Sequence, residues 1–334
     1  MTDAPYFLLN SPLPRVEMRK NASLQSLRFV FVMMIFMSHF AYGDFRPFDA
    51  GGDCGVTFFF LLSGFMMSMG YGPSLDSGTF RFRHYLVRRL SKIYPLHLLC
   101  LVAFLVLFRP EVDVKLPLNA LLLQSWVPDS AYYFSYNGVS WFLSSLAFSY
   151  LLFPLAYRKG NVFLLAALLT GCLAVYLLVP YDRINALLYV SPWMRFVDFF
   201  LGIMLFKVYD HHQRVPVPAW TELLMVALLV LVLWAYPYAD AKWRNAPLFW
   251  LVLLPFIFVF ARQQGTVSRL LQCRILQWLA SLSMPVFLLH PIVFRALFHF
   301  FPSIPEALML LLCFTSVVAL SWLIDRLFLR RISR

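Results

Sequence analysis

The stretch Ser26–His39, SLRFVFVMMIFMSH, places nine apolar side chains and one serine between an arginine and a histidine. A run this apolar, with no turn residue in it, is read as a helix built for hydrocarbon. Ionisable groups cost several kcal/mol in such a place, so they are rare there and usually functional. Arg28 and His39 are eleven residues apart, about three helical turns, so both lie on one face, separated by about 16 Å. A helix carrying one cation at its start and one imidazole at its end on the same face is the feature from which the rest of the chain is read.

The composition agrees with a membrane helix. Of 334 residues, 61% are hydrophobic, 18% aromatic and only 13% charged, with mean hydropathy +0.73. No soluble core of this size hides that much apolar surface. The five cysteines (Cys54, Cys100, Cys172, Cys273, Cys313) form no CxxC and are read as small core hydrophobes, and no metal is expected. The N-terminus lacks a short apolar h-region with a cleavage site, so the first apolar run is expected to remain as a span. A net charge of +12 is explained by basic loops facing anionic lipid. No basic cluster interleaves with aromatics on a soluble segment, which argues against nucleic acid as a partner.

Ten spans are expected, near 24–42, 54–71, 92–108, 139–157, 161–179, 192–209, 220–237, 246–261, 276–294 and 306–329. The piece LPLNALLLQSW (116–126) is too short to cross. With the N-terminus inside, 20 of the 28 Lys and Arg fall on the cytoplasmic side and eight on the other. The expected fold is an all-α polytopic membrane helix bundle with both termini inside. It is one domain over 1–334, with 1–22 a cytoplasmic segment and no separate soluble domain.

Several motifs in register resemble the membrane-bound acyltransferase 3 family, whose members O-acylate carbohydrates. Arg28 and His39 fit its Arg-x10-His first helix. GVTFFFLLSGF (55–65) resembles G-V-D-x-F-F-x-x-S-G-F, with Thr57 where an Asp is often found. RRLSKIYPLHL (88–98) resembles R-x-x-R-I-Y-P, with Lys92 in place of the second Arg. SWFLSSLAFSYLLFP (140–154) follows the family pattern except for Leu146 at a Glu position. SPWMRFVDFFLGIML (191–205) and SLSMPVFLLHPIV (281–293) complete the set. The resemblance implies O-acyl transfer from acetyl-CoA, or another acyl-CoA, to a glycan hydroxyl in a bacterial inner membrane. Lipopolysaccharide and exopolysaccharide units are among the acceptors it suggests.

His39 is the expected catalytic base, or else the carrier of the acyl group itself. Arg28 either places the donor or stabilises the thioester oxyanion, and donor placement is favoured because of its distance from His39. Arg88, Arg89 and Lys92 are expected to meet the phosphates of the donor. Ser63 and Gly64 line the passage of its acyl arm or pack helices together. Trp141 and Ser140 are set at the outer mouth, where an indole stacks on a sugar or marks the interfacial belt. Arg195 and Asp198 are expected to pair, and His290 to serve at a helix end or behind the site. The rivals are a transporter or flippase of lipid-linked sugars, against which the lack of paired repeats counts, and an O-succinyl or other acyl transferase.

Overall fold

The computed structural model describes residues 21–212 and 216–329. Arg15, Arg19 and Lys20 of the expected cytoplasmic segment, with Arg214, Arg330, Arg331 and Arg334, lie outside the described residues. Every named element among those described is helical, and the only pairing of strand type is an isolated bridge between Tyr42 and Phe45.

The chain runs back and forth through α1 (Ala22–His39), α2 (Ala50–Asp76), α3 (Phe82–Leu90) and α4 (Tyr94–Phe108). It continues through α5 (Trp141–Lys159), α6 (Val162–Leu178), α7 (Pro192–His211), α8 (Thr221–Ala235) and α9 (Pro247–Ala261). The last three are α10 (Arg274–Ser281), α11 (Ser283–Phe300) and α12 (Glu306–Ile324). Eight helices among the described residues are long and apolar enough to cross a membrane, with α3 and α4 counting as one. The expected spans at 161–179 and 192–209 are the helices α6 and α7. α6 is apolar but has 17 residues, and α7 carries Arg195, Asp198 and Lys207.

Two boundaries differ from expectation for local reasons. Pro95 in the first turn of α4 ends the backbone ladder of α3, so a turn at 91–93 separates the basic helix from the apolar one. The expected span 276–294 is broken at Leu282. There the Ser281 hydroxyl donates to the Trp278 carbonyl and Ser283 to that of Ala280, satisfying groups that the break exposes. The segment 116–126 holds one short helix (Lys115–Ala120) and a 3-10 turn, too short to cross, as expected. It is nonetheless tied in: Asn119 and Gln124 are fully buried.

The core is aromatic. Phe31 of α1 stacks on Phe58 of α2 at 3.6 Å between centroids, and Phe256 of α9 meets Phe31 edge-on at 5.9 Å. α2 and α7 approach closely because each offers a glycine to the other. A Cβ on Gly64 would collide with the Phe199 carbonyl, and one on Gly202 with that of Leu61. Gly51 and Gly52 do the same for α1, facing the Met34 carbonyl and the Ser38 hydroxyl. They press the start of α2 against the last turn of α1, which is where the site forms.

Candidate active site

His39 is the last residue of α1, and its ring is open to a cavity of about 350 Å³. Beside it in the wall are Ser38, Asp53, Tyr189, Tyr236 and Arg244, with Asn185 and Asn245 behind. The polar lining comes from four separate segments. Ser38 and His39 close α1, Asp53 opens α2, 184–189 precede α7, and 236–245 join α8 to α9.

His290 of α11 stands on the other side of His39 and is fully buried. Its Nε2 lies 3.2 Å from His39 Nδ1. Each ring also faces a backbone carbonyl of its own helix through Nδ1: His39 to Ile35 at 3.0 Å and His290 to Val286 at 3.2 Å. A carbonyl accepts only, so both rings carry their proton on Nδ1. His290 Nε2 is then a lone pair that receives the His39 Nδ1–H. The Nε2 of His39 is left as a basic nitrogen, with His290 placed to hold the imidazolium that forms when it takes a proton. His290 was expected only as a helix-end or supporting group; the structure makes it the direct partner of His39. The pair is 251 residues apart in sequence.

Asp53 is held from the far side. Tyr236 Oη donates to its Oδ2 at 2.6 Å, and the Arg244 guanidinium lies over the Tyr236 ring at 5.2 Å. Arg244 itself donates to the Ala239 carbonyl at 2.7 Å and to that of Pro237 at 2.6 Å. Arg195 and Asp198 pair as expected, at 2.7 Å and fully buried. Trp250 Nε1 donates to the second Asp198 oxygen at 2.6 Å. Arg195 Nε reaches the Tyr189 carbonyl at 2.5 Å, and its guanidinium covers the Tyr189 ring at 5.0 Å. The buried ion pair therefore anchors a wall of the cavity.

The other end of α1 is built differently. Arg28 is half-buried and donates to Gln25 Oε1 at 3.3 Å; no carboxylate among the described residues forms an ion pair with it. It borders a space of only about 20 Å³, enclosed by Phe59, Phe142, Ser283, Met284 and Phe287. Phe142 and Phe287 sit 5.1 Å apart, and Phe287 continues to His290 at 6.1 Å. An aromatic seam thus runs from Arg28 towards the histidine pair. On the far side of Arg28 is the basic segment of α3 and the turn after it. Arg89 lies 4.7 Å over the Tyr71 ring, and Lys92 feels the charges of Arg89, Arg88 and Arg28.

Four sequence-predicted residues lie elsewhere. Gly64 is in the α2–α7 crossing, and its neighbour Ser63 is half-buried. Ser140 is fully buried: its hydroxyl donates to Asn119 Oδ1 at 3.1 Å and accepts from Gln124 Nε2 at 3.2 Å. Trp141 is 4% exposed and rests against Tyr189 at 4.9 Å. Neither Ser140 nor Trp141 borders the cavity, because the 116–140 segment folds over them; Tyr189, against which Trp141 rests, does border it. Asp53, Tyr189, Tyr236 and Arg244 were not singled out as site residues. The signal in the sequence was the GGD of 51–53, whose glycines mark a close approach directly beside a carboxylate.

The family model of the acyltransferase domain (acyltransferase 3) matches residues 21–326. Acyltransferase MdmB of Streptomyces mycarofaciens is 31% identical over 55% of this chain and 56% of its own. The chain thus spans about half the length of the curated relative it matches. No solved structure matches. With the match running from the start of α1 to the end of α12 and taking in Arg28, His39 and His290, the chain belongs to the acyltransferase 3 family.

Proposed function

We propose that this protein is a multi-pass O-acyltransferase that moves an acyl group, acetyl in the first instance, from acyl-CoA to a hydroxyl of a surface glycan. The observation that carries the reading is one helix with two dissimilar ends. His39, backed by His290, opens on a polar cavity, while Arg28 closes on an aromatic seam next to Arg88, Arg89 and Lys92. Guanidinium and ammonium groups in that number suit the phosphates of a CoA donor. The excess of Lys and Arg at that end supports placing it in the cytoplasm, with the His39 end facing out of a bacterial inner membrane.

In direct transfer, His39 Nε2 removes the proton of the acceptor hydroxyl as its oxygen attacks the thioester carbonyl. The carbon–oxygen bond forms, the carbon–sulfur bond breaks, and the CoA thiolate leaves with the proton that His39 took. His290 accepts from Nδ1–H throughout and stabilises the charged ring. Arg28, about 16 Å away along α1, orients the donor and does not touch the reacting carbonyl. The aromatic seam admits an apolar acyl-pantetheine arm once its rings part.

The test is the base-labile acyl ester content of surface glycans in cells lacking the gene, complemented with wild type or His39→Ala at equal membrane abundance. Ester restored by wild type alone is the expected result. Ester restored equally by both removes His39 from the chemistry, and no change in ester in any strain overturns the transferase reading.

A further inference from the structure

The His39 cavity contains more chemistry than a base needs. Asp53 presents a carboxylate in the same wall as His39, brought there by the Gly51 and Gly52 contacts with α1. Only one of its oxygens is engaged: Oδ2 accepts from Tyr236 at 2.6 Å, and Oδ1 has no hydrogen-bond partner among the described residues. A carboxylate fixed at one oxygen and open at the other is an acceptor aimed at a hydroxyl donor. Around it are the rings of Tyr189 and Tyr236, flat faces of the kind that pack on sugar rings, and the amides of Asn185 and Asn245. Thr57, one turn along α2 from Asp53, donates to the Asn245 carbonyl at 3.1 Å and ties that wall to the same helix.

The charges in the wall point to the class of acceptor. Asp49 and Asp53 supply two carboxylates against one guanidinium, Arg244, which is already committed to two backbone carbonyls. The wall carries one more negative than positive charge, which repels an anionic sugar, and two of the five N–H donors of its single guanidinium are already used on backbone. The volume of about 350 Å³ is near the lower end of the range of about 300–1,000 Å³ for small-molecule sites, room for one sugar-sized ring and its link to the next.

We propose that Asp53, positioned by Tyr236, is the acceptor-recognition residue, and that the acceptor it selects is an uncharged polyhydroxyl ring whose reacting hydroxyl is thereby delivered to His39. This rests on the transferase reading above. Oδ1 accepts from hydroxyls neighbouring the one that reacts, and Tyr236 keeps the carboxylate from rotating away.

The experiment uses the full chain in lipid nanodiscs with acetyl-CoA. The acceptors are a nitrophenyl hexoside and the matching nitrophenyl hexuronide, with ester formation followed by mass. A hydrogen bond to a charged acceptor corresponds to about 10- to 100-fold. Asp53→Asn is therefore expected to raise the KM for the hexoside by that factor and to change the KM for acetyl-CoA less than about twofold. Tyr236→Phe, which keeps the ring and the carboxylate but frees Oδ2, is expected to raise acceptor KM by several-fold, and Asp53→Glu to recover part of the loss. An unchanged acceptor KM in both Asp53→Asn and Tyr236→Phe overturns the assignment while leaving the transferase standing. Equal use of the hexuronide by wild type overturns the choice of a neutral ring. Wild type that esterifies neither sugar, though it binds acetyl-CoA, overturns this proposal together with the glycan reading.

Discussion

The two ends of α1 solve opposite problems. At the His39 end the walls are polar, come from loops and helix ends, and enclose about 350 Å³. At the Arg28 end they are Phe59, Phe142 and Phe287 with Ser283 and Met284, and leave about 20 Å³. On the function proposed above, an acceptor that arrives from water would meet a site already shaped, whereas a donor arm would have to part a packed seam of rings. The difference shows which parts of the site are built in advance. Groups that would hold a proton in one place are fixed by directional hydrogen bonds, as in the histidine pair at 3.2 Å and the Asp53–Tyr236 contact at 2.6 Å. The passage that must open is lined with side chains whose contacts are non-directional and can re-form.

The comparison breaks most readily at His39. His39→Ala is expected to lower transfer by about 10²–10⁴-fold, the range for losing a positioned base, in initial-rate assays with acetyl-CoA. A loss of less than tenfold would mean that the cavity end does not house the proton transfer. His290→Ala comes next, at about 10- to 100-fold in kcat, since it removes the acceptor that stabilises a charged ring. Because His290 acts through His39, the alkaline arm of the rate profile should persist while the acidic arm moves. His290→Gln, whose side-chain oxygen also accepts, should recover part of the rate. Equal defects in Ala and Gln variants would mark His290 as a packing residue only.

At the opposite end the expected effects are smaller and appear in binding. Arg88→Ala and Arg89→Ala should each raise the KM for acetyl-CoA by about tenfold, more at low salt, with acceptor KM unchanged. A matching rise in acceptor KM would mean that the cations only hold the fold. Phe287→Leu should widen the seam and shift the ratio of butyryl to acetyl transfer by about tenfold towards the longer chain, comparable to the discrimination available from one or two methylenes. An unaltered ratio would place the acyl group elsewhere.

Much of the bundle was legible because hydrocarbon imposes one requirement on a whole segment. α7, with Arg195, Asp198, Lys207 and Asp210, is a helix where a span was expected at 192–209, but it is not among the eight long and apolar enough to cross; its Arg195 and Asp198 are spaced to neutralise each other. The face shared by Arg28 and His39 was legible for the same reason: one helix fixes both. What sequence spacing does not carry is contact between helices. His290 reaches His39 from 251 residues away, and nothing local to either residue specifies that meeting. Tyr236 and Arg244 were lost in a connector, and Asp53 lies in the first turn of α2 just ahead of the expected span 54–71, where hydropathy is silent and position is decided by what the glycines of α2 allow. Trp141 illustrates the converse. Its place at the start of a span suggested an outward-facing ring, but burial under the 116–140 segment is decided by the Asn119 and Gln124 hydrogen bonds, which no pattern in the sequence announces.

Trp141 also supplies the smallest expected effect. Its indole supports Tyr189 from one side at 4.9 Å, while Arg195 holds the Tyr189 carbonyl and covers its ring from another. Trp141→Phe keeps an aromatic surface against Tyr189 and leaves the Arg195–Asp198–Trp250 anchor intact, so the wall has one support weakened and the others in place. Acceptor KM and kcat should both stay within about threefold of wild type, since edge contacts between aromatic rings contribute about 0.5–1.5 kcal/mol and only part of one is lost. The matched measurement is the same hexoside titration used for Asp53→Asn. A tenfold rise in acceptor KM for Trp141→Phe would mean that the indole touches the sugar, and that the cavity extends past Tyr189 when the acceptor is bound.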